Sequence, residues 1–188
     1  MTEPIGLASR PFTVADLEAM PDDGRRYELI DGMLHVTPGP SWSHQEMSAA
    51  LFVLLRAQCP TALRVLMAPF AVRTSHLDEV QPDVIVAAFD DLTEKCLPSA
   101  PKLAVETLSP STQLYDRNTK LAHYQRLGVE SYWLLNPVQP GGLEAHQLDD
   151  AGTYQLLAKV SGDDVFTPER PFPVQVSPAR LLDGLRPR

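Results

Sequence analysis

Two short apolar runs, each with one carboxylate at its edge, constrain the fold of this chain more than any other feature. Asp83 precedes the run 84–88, and Glu106 lies near the end of the run 103–107. Continuous apolar runs of this length are typical of buried strands. Because a charge in such a strand is rarely buried without a partner, Glu106 is expected to face a cation or an arginine. Neighbouring strands would place both acids at one site for a hard divalent cation, which suits phosphodiester hydrolysis.

Pro82, directly before Asp83, favours the interpretation of 84–88 as a strand. It lacks a backbone N–H and therefore suits the first position of a strand. Asp83 would then enter the sheet at a point where its side chain can leave the core. Pro-Asp is also a common turn dipeptide, so a surface turn acid is the alternative for Asp83.

Length and composition indicate one compact domain. The chain has 188 residues, 44% of them apolar and 21% charged, which is ordinary for a globular fold with a hydrophobic core. We expect a single domain over 1–188, with its core at about 12–160 and a C-terminal hairpin and helix in 143–188. No apolar run approaches the roughly twenty residues that cross a bilayer, and residues 1–4 lack a signal pattern. We therefore expect a cytoplasmic protein with no membrane partner.

Charge and cysteine content argue against several classes of protein. The formal net charge of −8 disfavours a protein that coats nucleic acid nonspecifically, because such binding depends on Lys and Arg. Any contact with nucleic acid must therefore be local and assisted by a metal. Cys59 and Cys96 lack CxxC spacing, so neither a disulfide framework nor a thiolate zinc site is expected. The five histidines show no HExxH or facial-triad spacing, which argues against a zinc enzyme.

Turn and capping signals divide the chain into alternating strands and helices. Asp31-Gly32 is a strong hairpin turn signal, and Ser43 with Glu46 forms a capping box for a long helix that would end near Pro60. The predicted helices are 12–20, 43–60, 109–128 and 179–184, the predicted strands are 26–30, 33–37, 62–67, 70–73, 84–88, 103–107, 132–135, 143–148 and 154–160, and polar segments are predicted at 74–79 and 90–101. This order predicts an α/β or α+β fold with a mixed central sheet flanked by helices.

Lys120 is the candidate cation for the two acids. It lies on the predicted helix that follows the Glu106 strand, and it shares one helical stripe with Arg117 and Tyr124. An ammonium group beside two carboxylates and a metal could hold the attacking water and stabilise charge that builds in the transition state. A solvated helix lysine is the alternative.

Other polar residues could line the same site, and each has a purely structural alternative. Glu28, in the first hairpin, could orient Lys120 or a metal-bound water, although an exposed strand face would explain it equally well. His44 could line the site or simply occupy the first turn of its helix. Ser109 and Ser111 are explained by helix capping, although the N–H groups there could hold a phosphate.

Six segments in order resemble one known family. They are YELIDG (27–32), SHQ (43–45), QPDV (81–84), VETLSPST (105–112), KLAHY (120–124) and GVESYW (128–133). The chain resembles the Uma-type restriction endonucleases of the PD-(D/E)XK nuclease superfamily over about 12–160. The resemblance implies a restriction-endonuclease-like core, with a mixed sheet and helices on both faces, and Mg²⁺-dependent cleavage of DNA. It also implies that Asp83 and Glu106 are metal ligands and that Glu28 is an accessory acid.

The chain departs from the superfamily pattern at one position. The pattern places a lysine two residues after the second acid, where this chain has Leu108. Members of this type carry the lysine on the following helix, and Lys120 is the residue that matches. The positive charge would then reach the site from another direction.

These observations lead to one functional hypothesis and two alternatives. We expect a metal-dependent endodeoxyribonuclease that uses Mg²⁺, or Mn²⁺ in its place, with catalytic residues Asp83, Glu106, Lys120 and Glu28. We expect a homodimer, because double-strand cleavage needs two sites. The alternatives are a nuclease-fold binding or structural module without turnover, which the acidic net charge and the missing strand lysine favour, and a phosphodiesterase that acts on RNA.

Overall fold

The strands of this protein form two mixed sheets that pack against each other and against a few helices. The computed structural model describes residues 10–183. The strands are β1 (Arg26–Ile30), β2 (Met33–Thr37), β3 (Leu63–Met67), β4 (Ala71–Ser75), β5 (Asp78–Val80), β6 (Val84–Ala88), β7 (Cys96–Leu97), β8 (Leu103–Thr107), β9 (Ser131–Asn136), β10 (Gly142–Leu148) and β11 (Tyr154–Ser161). The helices are α1 (Val14–Glu18), α2 (Trp42–Gln58), a π-helical segment (Tyr115–Lys120) that continues directly into α3 (Leu121–Leu127), and α4 (Pro178–Leu181), with a 3-10 turn at Phe89–Asp91.

The larger sheet has six strands in the order β11-β10-β9-β8-β6-β3. Its strands are antiparallel except for β8 and β9, which run parallel and are joined by the π-helical segment and α3. The smaller sheet has five strands in the order β2-β1-β5-β4-β7, with β4 and β7 parallel. The predicted class, a mixed α+β fold, is confirmed, but the strands form two sheets where the sequence predicted a single central sheet.

Alternation along the strands gives the six-stranded sheet two buried faces. One face contacts the apolar stripe of the long helix α2; the side chains in this layer are Val84, Val86, Leu103, Val105, Trp133, Leu135, Met47, Leu51 and Leu55. The opposite face contacts α3 and the smaller sheet; its side chains include Ile85, Ala87, Ala104, Leu134, Tyr124, Ile30, Val72 and Val80. This burial on both faces explains why β6 and β8 appear in the sequence as continuous apolar runs rather than alternating ones.

Several predicted boundaries are wrong, and each has a local reason. The long helix begins after Ser41 and not after Ser43; the Ser41 hydroxyl accepts a hydrogen bond from the His44 N–H at 3.3 Å. Ser41 and Ser43 each carry a hydroxyl that can cap a helix, so the sequence alone does not show which of them is the N-cap. The predicted polar loop 74–79 is mostly strand, because β4 extends to Ser75 and β5 begins at Asp78, which leaves only 76–77 as the turn. The strand β5 pairs with β1 as well as with β4.

The helix predicted from Ser109 to Gly128 forms with an unexpected irregularity. The Ser109 hydroxyl accepts from the Thr112 N–H at 3.2 Å, and Gly128, with φ +80°, ends α3 in the left-handed conformation. Between them, the segment Tyr115–Lys120 is π-helical. No local signal in the sequence indicates this. The last predicted helix, 179–184, is shorter in the structure, where it begins at Pro178 after Ser177 and ends at Leu181. Gly184 lies outside the described residues.

The remaining predicted elements agree with the structure, except that the predicted polar segment 90–101 contains the short strand β7, which pairs with β4. The hairpin of β1 and β2 turns at Asp31 and Gly32, and the hairpin of β10 and β11 lies where it was expected. Within residues 10–183, no helix combines the length and the apolar content needed to cross a membrane. Residues 1–4, where a signal pattern would begin, lie outside the described residues.

Candidate active site

The pairing of β6 with β8 brings Asp83 and Glu106 side by side. Val84 pairs with Val105 in this antiparallel ladder, so the next opposed positions are Asp83 and Glu106. Directly opposed residues of an antiparallel pair have their side chains on the same face, about 5 Å apart at Cβ. The Thr107 N–H donates to Asp83 Oδ2 at 2.8 Å, which fixes the two strand ends together. Both acids are almost fully buried, with exposed fractions of 4% and 3%.

Asp83 is held by two basic side chains from different elements. Arg26 of β1 donates to Asp83 Oδ1 from both terminal nitrogens, at 3.0 and 3.1 Å. His44, in the first turn of α2, lies with Nε2 3.0 Å from Asp83 Oδ2. Burial acts to raise the pKa of Asp83, but His44, Arg26 and the Thr107 N–H outweigh it and hold the pKa below its usual value. Asp83 is therefore a carboxylate in this site.

Lys120 lies between the carboxylates of Glu106 and Glu28. Its Nζ is 2.8 Å from Glu106 Oε1 and 3.1 Å from the carboxylate oxygens of Glu28. The lysine side chain is only 3% exposed. Burial alone would lower the pKa of Lys120, but Glu106, Glu28 and Asp116 raise it, so the ammonium stays charged. The solvated helix lysine that was the alternative for Lys120 is excluded.

Glu28 and Glu106 each have a second hydrogen bond that orients them. Glu28 Oε1 accepts from the Gln81 N–H at 2.7 Å, so the acid of β1 is bonded to the segment that leads into Asp83. Glu106 Oε1 accepts from the Tyr124 hydroxyl of α3 at 2.9 Å. Glu28 is buried, so the exposed strand face that would have explained it is also excluded.

The π-helical segment determines which side chains reach the site. Asp116 and Lys120 are buried on it, and Lys120 lies directly before α3, which carries Tyr124. Arg117, predicted on the same stripe as Lys120 and Tyr124, instead forms an ion pair with Glu144 of β10 at 2.9 Å. A π-helix has a different angular spacing from an α-helix, so the predicted stripe does not hold across this segment.

Two residues of the site, Arg26 and Asp116, were not predicted from the sequence. Asp116 is 3% exposed and accepts a side-chain hydrogen bond from Thr112, while its backbone carbonyl accepts from the Tyr132 hydroxyl at 2.9 Å. Its spacing of four residues from Lys120 is the one signal that could have indicated it. No pattern in the sequence marks Arg26, because its role depends on pairing between β1 and β5.

The site has more negative than positive charge. Four buried or nearly buried carboxylates, on Glu28, Asp83, Glu106 and Asp116, face two fixed cations, Arg26 and Lys120. Burial raises the pKa of Glu106 well above its usual range; Lys120 opposes this, but the neighbouring carboxylates add to it. Counted with all four carboxylates ionised, these six groups have a formal charge of −2, which one divalent cation would balance.

These residues line a cleft of about 230 Å³ that opens to solvent between two loops. The loop 37–41 forms one wall and the loop 109–112 forms the other, and all four predicted site residues lie in the lining: Glu28, Asp83, Glu106 and Lys120. Ser109 and Ser111 lie at the rim, where their hydroxyl oxygens are 3.1 Å apart. His44 also lines the cleft, and its Nδ1 is buried without a hydrogen-bond partner.

Comparison with known proteins identifies the class of protein to which this fold and buried cluster belong. The model of the Uma2 family, described as "Putative restriction endonuclease", matches residues 14–183. The chain belongs to this family, as the sequence resemblance predicted. Family membership supports a nuclease function in general terms.

A solved structure supports the fold independently. The chain is similar to the crystal structure of a protein from Anabaena variabilis titled as a "putative nuclease belonging to DUF820". The TM-score is 0.76 and the sequence identity is 16%, over 94% of this chain and 100% of the other. At that identity the likeness concerns the fold alone. No curated protein matches the chain.

The residues at the strand ends fit a divalent cation by their chemistry. Within residues 10–183, no three His, Cys, Asp or Glu side chains form a preformed metal cage. Mg²⁺ does not require one, because it is bound by one or two carboxylates and keeps several waters or substrate oxygens. Asp83 and Glu106 would provide such a pair of hard oxygen ligands, and the neighbouring carboxylates would add to the attraction of a cation.

Proposed function

We propose that this protein is a Mg²⁺-dependent endonuclease that hydrolyses phosphodiester bonds in DNA, with Mn²⁺ able to replace Mg²⁺. Asp83 and Glu106 are the metal ligands in this proposal, and Lys120 and Glu28 complete the catalytic set. The observation that carries it is the direct opposition of Asp83 and Glu106 at the end of β6 and β8, next to the buried ammonium of Lys120.

Each residue has a distinct role in this mechanism. Asp83 and Glu106 would hold a divalent cation, which would supply Lewis-acid activation of water and phosphate. The Lys120 ammonium donates to a phosphate oxygen as negative charge builds there, in a site largely closed to water. Glu28 holds Lys120 in place from the opposite side, and Tyr124 fixes the orientation of the Glu106 carboxylate. Two of the three ammonium protons suffice for Glu28 and Glu106, which leaves one for substrate.

The proposal is tested by Mg²⁺-dependent nicking of plasmid DNA by the purified protein. Asp83→Asn and Glu106→Gln keep the size of each side chain and remove its charge, so both variants should lose at least about 100-fold in rate, as expected when an electrostatic group is removed. Glu130→Gln is the matched control, because Glu130 pairs with Lys102 outside the cleft. Full activity in either site variant would reject the assignment.

A second candidate function is a binding or structural module that has lost turnover. One observation favours it: every site carboxylate already has a partner from the protein itself, such as Arg26 for Asp83 and Lys120 for Glu106. Calorimetric titration with Mg²⁺ or Mn²⁺ separates the two functions. A nuclease should show saturable binding that Asp83→Asn removes, whereas a degenerate site should show none.

The substrate and the assembly belong to the same proposal. A panel of DNA and RNA substrates distinguishes an endodeoxyribonuclease from an RNA phosphodiesterase that uses the same residues. Cleavage of both strands of DNA needs two clefts, so we also propose a homodimer. Light scattering at the working concentration checks this part, and a monomer would contradict it.

A further inference from the structure

We propose that Arg26 occupies the place of the divalent cation at Asp83 in the metal-free protein, and that the cation displaces it toward the substrate phosphate. Arg26 would thus be both an internal competitor of the metal and a phosphate-binding residue. This inference rests on the proposed function, because it assumes that Asp83 is a metal ligand.

The contacts of Arg26 make it a substitute for a cation. Its two terminal nitrogens both bond Asp83 Oδ1, at 3.0 and 3.1 Å, and one of them also donates to the Gln81 carbonyl at 3.1 Å. The other oxygen, Oδ2, is bonded by His44 and by the Thr107 N–H. Both hydrogen bonds that Oδ1 accepts therefore come from Arg26, so a cation that binds this oxygen takes a position that the guanidinium now occupies.

The charge around Arg26 favours such an exchange. Coulombic attraction to Asp83, Glu106 and Glu28 raises the pKa of Arg26 although burial opposes this, so two further acids attract the guanidinium besides Asp83, which bonds it. A divalent cation carries twice the charge in a smaller volume and is attracted by the same carboxylates. A bound cation would repel the guanidinium and take its place at the Asp83 carboxylate.

The side chain also has space into which it can move. Arg26 lines the cleft, a second cavity of about 250 Å³ next to His44 and Met67, and a third of about 290 Å³ next to Glu79. Its side chain is 20% exposed, against 3% for Lys120. The buried lysine is fixed by packing, whereas Arg26 can leave Asp83 without displacing the core.

A released guanidinium in the cleft is well suited to phosphate. Arginine binds phosphate oxygens in a planar, bidentate manner that lysine does not reproduce. The metal would free Arg26 for the phosphate, and the phosphate would draw Arg26 away from the metal ligand. By linkage, cation and phosphate then bind with positive cooperativity.

The test compares wild-type protein with Arg26→Gln by two binding measurements. Calorimetric titration with Mn²⁺ alone should show about tenfold tighter binding to Arg26→Gln, because the internal competitor is absent. A short fluorescein-labelled DNA oligonucleotide in the presence of Ca²⁺, followed by anisotropy, should bind Arg26→Gln more weakly. The slope of log affinity against log salt should fall by about 1. Arg126→Gln is the matched control, because Arg126 pairs with Asp31 on the surface.

Tighter Mn²⁺ binding together with weaker DNA binding by Arg26→Gln distinguishes this role from a structural one. An arginine that only stabilises the fold would lower the thermal midpoint of Arg26→Gln without changing Mn²⁺ affinity, and that result would overturn the inference. Arg26→Lys keeps the positive charge but not the two terminal nitrogens of the guanidinium, so its Mn²⁺ affinity should be intermediate. This variant replaces Arg26→Gln in the test if the glutamine variant does not fold. Absence of saturable Mn²⁺ binding in all variants, wild type included, would instead overturn the proposed function.

Discussion

At the scale of single residues, the defining property of this site is that its charges are buried. Lys120, Glu28 and Glu106 are each no more than 3% exposed, and they lie within direct contact. Burying ions costs several kcal/mol each, and their mutual attraction offsets this only while all partners are present. Carboxylates with shifted pKa values in a cleft are typical of functional sites, so we expect this cluster to have a functional role.

The first prediction concerns the stability that depends on Lys120. In Lys120→Met, the two carboxylates Glu28 and Glu106 lose their shared cation, so the free energy of unfolding should fall by about 3–5 kcal/mol at pH 8. Urea denaturation followed by circular dichroism measures this change.

Lys102→Met is the matched control for that measurement. Lys102 pairs with Glu130 at 2.7 Å, and both side chains are more than a third exposed. An exposed pair contributes about 1 kcal/mol or less, so this variant should be close to wild type. Equal losses in the two lysine variants would show that Lys120 has no special role in the cluster.

At the scale of elements, local signals predicted the helices and strands well and their long-range pairing poorly. The hairpin at Asp31-Gly32 and the end of α3 at Gly128 follow from turn and capping chemistry. The strand β5 was missed because it is short and polar, and its pairing with β1 and β4 comes from distant parts of the chain. The π-helical segment Tyr115–Lys120 was missed because neither propensity nor periodicity indicates one extra residue per turn.

A prediction at this scale concerns the junction where the C-terminal helix α4 packs on the larger sheet. Gly141, just before β10, has φ +88°, and a Cβ there would lie 2.9 Å from Leu182 and 3.0 Å from the Pro178 carbonyl oxygen. Gly141→Ala therefore combines backbone strain of about 1–2 kcal/mol with a steric clash of about 1–3 kcal/mol. Thermal or urea unfolding measures the sum.

Gly152 offers a matched comparison for the alanine variant at Gly141. Its φ is +74°, but a Cβ added there would have no atom within 4 Å among the described residues. Gly152→Ala should show the backbone strain alone and be the milder variant. Equal destabilisation of the two would contradict the packing of α4 described here.

At the scale of the whole molecule, the sequence predicted the class of fold and most of the acids around the cleft. It did not predict which charged groups pair with them. Asp83, Glu106, Lys120 and Glu28 lie around one cleft, as strand adjacency and the family resemblance suggested. Their catalytic roles remain predictions. Arg26 could not be predicted, because its contact with Asp83 spans 57 positions of the chain and follows from how the two sheets meet.

The net charge of −8 also has a consequence at this scale. A net negative charge disfavours the approach of DNA, and Arg26 and Lys120 are the arginine and lysine in the lining of the cleft. A divalent cation at Asp83 and Glu106 would neutralise the formal negative charge of the cluster and offer a phosphate oxygen a ligand position. Binding of DNA should therefore depend on the cation as strongly as cleavage does.

The most direct test of the central claim, that Asp83 and Glu106 together hold one divalent cation, is anomalous diffraction from crystals of the protein soaked in Mn²⁺. We expect one strong anomalous peak between the two carboxylates, adjacent to Lys120, and no such peak in crystals of Glu106→Gln. Saturated crystals with no peak at this position, and with Arg26 still bonded to Asp83, would contradict the claim.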